Sequence, residues 1–279
     1  MNVGLVIRYA VSYAAYAGAL LCLTQLPSIW ARQAASVAYV PTAESRAMHE
    51  FTVVLDAGHG GVDGGTQGQG ILEKNLSLAI TRRVEKCLAE AGIRTVLTRK
   101  DDTYISLEKR IDLANRHQPN AFVSIHLNAD ATSGDTAGLE TYYCSRKRLG
   151  DMMRLRDRLG LPKGEVIRDR RSEWLAQTLH KGIRAATGVE NRGTRDSNYL
   201  VVMNSECPAV LIECGYLTNE AEARRLQTED HQEKIAKAVA EGVKKFLLAS
   251  RMNPRRGIER NPMTVAMPTG SSSLREGNP

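Results

Sequence analysis

His59, Glu73, His126 and Glu213 are the side chains in this sequence whose types could together do chemistry. They stand in the stretches VVLDAGHGGVDGG, GILEKNL, VSIHLNA and AVLIECGYLTN, each at the edge of a short strand-like or helix-like segment. Two imidazoles and a carboxylate make a catalytic zinc set with one position left open for water, and a second carboxylate nearby can take that water's proton. The expectation is a zinc hydrolase with one Zn2+ per chain, in which three of these four residues are metal ligands and one is the general base.

Each of these residues also has a plainer reading. A single histidine is more often a hydrogen-bonded structural residue, and this reading is kept for His117, His180 and His231, while His49 falls in a polar connector. His59 and His126 differ because both terminate buried-looking strands, and in open parallel sheets the ligand crevice lies beyond the strand carboxyl ends. Glu73 stands fourteen residues after His59, across a loop holding Gly60, Gly61, Gly64, Gly65, Gly68 and Gly70. So much glycine suits a loop folded closely over a pocket; the alternative for Glu73 is a favourable carboxylate in the first turn of a helix. No Gly-Lys-Ser/Thr follows the loop, so it is not a nucleotide cradle. Asp56 and Asp63 are rival carboxylates, with Asp56 assigned a supporting or structural role near His59. Glu213 closes the apolar run Ala209-Val210-Leu211-Ile212, where an unpaired charge would be costly to bury without a compensating partner.

The segments that must position these groups alternate. Phe51 to Asp56 reads as a buried strand; Lys74 to Ala91 reads as a helix, with Leu76, Ile80, Val84, Cys87 and Ala91 at helical spacing and Gly92 as its stop. Ile93 to Leu97 is a second strand, and a helix beginning at Ser106 closes before Pro119. Ala121 to His126 and Leu139 to Tyr143 are the next strands. A helix carrying Leu175, Leu179 and Ile183 follows, then strands near Tyr199 to Val202 and Ala209 to Glu213, and a long amphipathic helix from about Asp230 to Leu248. Continuous apolar strands separated by helices predict an α/β class: a single domain with a largely parallel sheet of about six strands, covered by helices on both faces.

The ends and one internal stretch fall outside that pattern. Residues 1–31 begin with Arg8 before an apolar run and finish near small residues, the outline of an export signal cleaved between Ala31 and Ala38; an uncleaved anchoring helix is the alternative. Lipidation at Cys22 is disfavoured by Leu21 before it. Residues 32–50 read as a linker, 51–249 as the catalytic domain and 250–279 as a disordered tail rich in Pro, Gly, Ser and Arg. Residues 146–171 form an arginine-rich insert, either a solvated surface excursion or a mobile basic flap beside the site.

The net charge of +7 raises the question of polyanionic partners. With little aromatic interleaving and no recognisable binding motif, nucleic acid is not the expected partner; an exported basic protein more plausibly meets an acidic envelope polymer or membrane surface. Cys87, Cys144, Cys207 and Cys214 permit disulfides outside the cytoplasm without requiring them. Cys207 and Cys214 bracket one predicted strand and would lie roughly 20 Å apart if it is extended, too far to bridge.

Taken together, VVLDAGHGGVDGG, EKNLSLAI, VLTRKDD, RIDLANRHQPNAFVSIHLNA, GLETYY and PAVLIECGYLTN make residues 51 to 248 closely resemble the zinc-dependent N-acetylmuramoyl-L-alanine amidases of the type-3 amidase group. The resemblance implies a twisted mixed sheet flanked by helices, and cleavage of the amide joining the lactyl group of N-acetylmuramic acid to the L-alanine of the peptidoglycan stem peptide. It matches His59, Glu73 and His126 to the zinc ligands and Glu213 to the catalytic glutamate. Peptidoglycan or muropeptides are the implied substrate, and the periplasm or cell envelope the implied location. The insert at 146–171 lies where some relatives carry a segment that occludes the zinc until an activator protein displaces it, so autoinhibition is an expectation here too. Two alternatives stay open: a zinc carboxypeptidase acting on the stem peptide, and a catalytically silent wall-binding protein, against which all four catalytic positions are intact.

Overall fold

The computed structural model describes residues 48–145 and 166–261. The expected export signal or anchor, most of the linker, the insert over 146–165 and the tail beyond 261 lie outside the described residues. Among the described residues no helix is long and apolar enough to cross a membrane.

The chain opens with β1 (Thr52–Ala57), then a minor hairpin, β2 (Gln67–Gly68) and β3 (Ile71–Leu72), then α1 (Glu73–Glu90) and β4 (Arg94–Leu97). Next come α2 (Leu107–His117), β5 (Ala121–Asn128), β6 (Leu139–Tyr143), β7 (Val166–Asp169) and α3 (Arg171–Thr187). The last part runs β8 (Asn191–Asp196), α4 (Leu200–Met203), β9 (Ala209–Tyr216), α5 (Glu220–Leu226), α6 (Glu229–Met252) and β10 (Ile258–Asn261). The helix starts follow local chemistry: the side chains of Ser106, Asn219 and Thr228 accept from the backbone N–H three residues on, in α2, α5 and α6. At the other end, α3 stops at Gly188 in the left-handed conformation.

Six strands form one mixed sheet in the order β4-β1-β5-β9-β6-β8. The first four run parallel; β6 pairs antiparallel with β9, and β8 runs parallel to β6. Alternating side chains feed two cores. Val53, Leu55, Val123, Ile125, Val210 and Ile212 pack against α1, α3 and α6, whereas Val54, Phe122 and Leu211 pack against α2 and α4. The sheet is therefore covered on both faces, which is why β1, β5 and β9 are nearly continuous apolar runs. From β1 the chain goes to β4 on one side and then to β5 on the other, so a topological switch point falls between β1 and β5. In sheets of this kind a crevice opens at that point, beyond the carboxyl ends.

Three expectations need correction. The strand expected near Tyr199 to Val202 is the short helix α4, and the neighbouring strand is the polar β8. The insert's last residues are built into the fold: 166–169 form β7, and Arg171 begins α3. The tail expected to be disordered from 250 onward starts inside α6 and continues into β10, which pairs antiparallel with β7.

Candidate metal centre and active site

The site begins where β1 ends. His59 adopts a left-handed conformation, φ 59°, which costs a non-glycine residue about 1–2 kcal/mol. Two buried arginines hold this turn. Arg99 donates to the carbonyls of Ala57 (3.0 Å) and Gly58 (2.7 Å). Arg110 donates to the carbonyls of Ala57 (2.6 Å) and His59 (2.7 Å). The Arg110 charge is balanced by Asp56 at 2.7 Å, and Asp56 also accepts from Thr98 (2.7 Å) and Ser124 (2.6 Å). Burial pushes the Asp56 carboxyl up, but Arg110 and the two hydroxyls more than offset it and hold the group below its ordinary range.

Beyond the turn the loop folds back. The backbones of Gly60 and Asp63 bond to each other, and the Asp63 carboxylate accepts from His59 Nδ1 at 2.9 Å. With Nδ1 so engaged, Nε2 is left to face the site. It lies 3.1 Å from Glu73 Oε2.

Glu73 is the first residue of α1, where the helix dipole favours an anion. Its two oxygens accept from the N–H groups of Thr66 (2.8 Å) and Leu127 (3.0 Å), which fixes both. Oε1 lies 2.8 Å from His126 Nδ1. One ligand-capable atom from each of His59, Glu73 and His126 lies within 4.8 Å of the others, a group able to hold a metal ion. The electrostatics agree. Burial works against charge on all three, yet the Glu73 carboxyl is held well below its usual range, and both imidazoles hold a proton more tightly than usual because Glu73 faces them. The field at the two imidazoles therefore favours positive charge.

Glycine makes the enclosure possible at two positions. A Cβ on Gly58 would sit 2.4 Å from the His126 ring, and one on Gly65, φ 68°, would sit 2.6 Å from both Glu73 Oε2 and His59 Cδ2. Tyr104 and Leu107, both exposed, line the small cleft that His59, Asp63 and His126 open into.

Glu213 lies on β9 as the register partner of His126 on β5 and of Glu140 on β6. Its Oε2 is buried and makes no hydrogen bond. Burial pushes the carboxyl up to about 7, with Glu73 and Glu140 adding to the shift and His126 opposing it. A buried, unsatisfied carboxylate oxygen is expensive, and such atoms concentrate where a reaction is done.

The structure therefore gathers the four residues singled out in the sequence, and it separates the remaining histidines from them. His180 is held between Thr141 and Asn191, and His231 is buried on α6. Sequence reasoning missed Arg99 and Arg110, and it left Asp63 as a rival ligand when its carboxylate orients His59. A signal for Arg110 was present: it stands four residues before Ala114, on the buried face of α2.

Three groups able to hold a metal ion, with an unpaired carboxylate beside them at the carboxyl ends of an α/β sheet, form the kind of site used by metal-assisted hydrolases. The sequence pattern of the N-acetylmuramoyl-L-alanine amidases matches residues 53–245, and the chain belongs to that family. It is 32% identical over 191 residues to the N-acetylmuramoyl-L-alanine amidase LytC of Bacillus subtilis, covering 68% of this chain and 34% of that protein. It is also 32% identical over 216 residues to AmiA of Escherichia coli, covering 68% of this chain and 74% of that one. Among solved structures, the N-acetylmuramoyl-L-alanine amidase of Clostridium difficile 630 superposes with a TM-score of 0.62 at 35% identity, over 71% of this chain and 97% of that one. AmiC2 of Nostoc punctiforme gives 0.61 at 33% identity, over 71% and 98%.

Proposed function

We propose that this amidase is zinc-dependent, with one Zn2+ held by His59, Glu73 and His126 and with Glu213 as its general base, and that it cleaves the amide between the lactyl group of N-acetylmuramic acid and L-alanine. The observation that carries the reading is the convergence of the three ligand atoms within 4.8 Å of one another, next to a buried carboxylate oxygen with no partner. Zinc, when bound, supplies Lewis acidity that acidifies water and polarises an amide carbonyl.

The chain's own residues do the rest. Asp63 orients the His59 ring, Glu73 is fixed by two backbone donors, and Arg99 and Arg110 hold the turn that carries His59. Glu213 takes a proton from water as the water oxygen bonds to the carbonyl carbon. The same carboxyl then returns the proton to the nitrogen as the C–N bond breaks, leaving a lactyl carboxylate and a free peptide amine. Export through residues 1–31 to the periplasm or cell envelope and an activator protein acting on the 146–171 insert belong to the same proposal. Its physiological role would be wall remodelling, daughter-cell separation or recycling.

Digestion of a defined muramoyl-peptide, read by mass spectrometry, should release the intact stem peptide and the muramic acid as a matched pair. Loss of a C-terminal amino acid instead would mark a carboxypeptidase and overturn the reading. A chelator should abolish the cleavage and added zinc restore it. Glu73→Ala should weaken zinc affinity by more than about 100-fold, since loss of even an outer supporting partner costs 10–100-fold; titration against a zinc indicator measures it.

Gly58→Ala tests the enclosure. The new methyl must displace the His126 ring, and a displacement near 1 Å costs on the order of 100-fold in rate. An active Gly58→Ala enzyme would show that the His126 position is not critical.

A further inference from the structure

On the opposite side of Glu213 from the grouped ligands, β6 places Glu140 as its register partner. Glu140 is 3% exposed, and its two oxygens are divided between different kinds of partner. Oε2 accepts from the hydroxyls of Tyr142 (2.8 Å) and Tyr216 (3.1 Å) and from the amide of Asn128 (3.1 Å). Oε1 faces two guanidiniums from β8, Arg195 at 2.9 Å and Arg192 at 3.4 Å. Arg192 also lies over the Tyr216 ring, 5.2 Å from its centroid. Asp196, the nearest carboxylate in sequence, is taken by the backbone and hydroxyl of Ser145.

Two guanidiniums share the single Oε1 of Glu140, so that contact leaves N–H donors on each for another acceptor. Those donors are accessible, because the Arg195 side chain is 51% exposed and the Arg192 side chain 30%. A guanidinium has five N–H donors in a planar fork that matches a carboxylate.

The proposed chemistry gives these donors a direction. Glu213 returns its proton to the leaving nitrogen, so the amine half of the substrate lies on the Glu213 side, and the acyl half lies toward His59 and Tyr104. The strand order β5-β9-β6-β8 then carries the peptide away from the bond being cut and over Glu140 to Arg192 and Arg195. Two strand spacings amount to about 10 Å, and an extended peptide advances about 3.3 Å per residue. The guanidiniums are therefore reached by the second or third residue of the peptide.

We infer that Arg192 and Arg195 form a subsite for a carboxylate on the second or third residue of the amine-side peptide, so that the enzyme selects acidic stem peptides, with Glu140 as the positioning residue that holds both guanidiniums. This rests on the amidase reading above, because the direction of the peptide follows from the role of Glu213.

The test compares muramoyl-peptides that carry a free carboxylate or a carboxamide at the second residue, at the third, or at both. The wild-type enzyme should prefer the free acid at one of these positions by about tenfold in kcat/KM, the scale of one charge-assisted contact. In Arg195→Ala that ratio should collapse toward one, with the loss on the acidic substrate appearing in KM rather than kcat, and Arg195→Lys should recover part of it. A wild-type enzyme indifferent to amidation at both positions would overturn the subsite and leave the amidase reading standing. So would an Arg195→Ala enzyme that keeps the wild-type ratio, or one that loses kcat equally on every substrate. Failure of the wild-type enzyme to cut the muramoyl–alanine amide in any of them would overturn both.

Discussion

Glu213→Gln should lower kcat by about 10²–10⁴, the range a positioned general base contributes, while zinc content and KM stay close to wild type. Glutamine has nearly the same shape but cannot accept a proton at neutral pH. The fold should not suffer. Glu213 is a carboxylate held in an apolar strand with one oxygen unpartnered and its carboxyl pushed up to about 7, so a neutral amide relieves a burial cost rather than adding one. The expected pattern is a stable, metal-loaded, inactive enzyme, and thermal melting, metal analysis and turnover together read it. Native turnover in this variant would remove Glu213 from the mechanism.

Arg110→Ala should have the largest effect on stability. It strips the cation from Asp56, which is 1% exposed, and breaking one partner out of a buried ion pair costs about 3–5 kcal/mol. In a domain of this size the melting temperature should fall on the order of 10 °C. The same change frees the carbonyls of Ala57 and His59, so activity should fall as well. Combining Arg110→Met with Asp56→Asn removes the stranded charge and should recover much of the stability. The activity should not follow, because the turn carrying His59 still lacks its donor. A double variant that regained both would show that Arg110 matters only for Asp56.

The parts of this molecule legible from sequence are those where one physical cause dominates. The strands β1, β5 and β9 are buried on both faces, so they read as continuous apolar runs, and a histidine or glutamate at the end of such a run stands out. Helices α1, α3 and α6 show their apolar faces at helical spacing. The class and a largely parallel sheet follow from these features, whereas the family and the mixed sheet follow from the resemblance carried by the motifs around them.

What was missed had competing causes. Val201 and Val202 are buried, but an apolar run that short does not distinguish strand from helix. The real neighbouring strand, β8, lies at the sheet's edge, where polar residues are tolerated, so NRGTRD carried no strand signal. Arg99 and Arg110 were passed over: apart from the place of Arg110 on the buried face of α2, nothing in the sequence shows that three successive carbonyls need donors. Arg192 and Arg195 gain their meaning only from Glu140, more than fifty residues away in the chain and next to them in the sheet. The tail was judged on its Pro, Gly and Ser content, whereas its first residues are tied down by α6 and by pairing with β7.

The central claim is that residues distant in the chain share one ion. An anomalous difference map from zinc-loaded crystals, recorded at the zinc absorption edge, tests it most directly. The account predicts a single strong peak about 2.0–2.2 Å from the ligand atoms of His59, Glu73 and His126, with the Glu213 carboxylate nearby but not bonded to the metal. A peak elsewhere, or one in which Glu213 is itself a ligand, would contradict it.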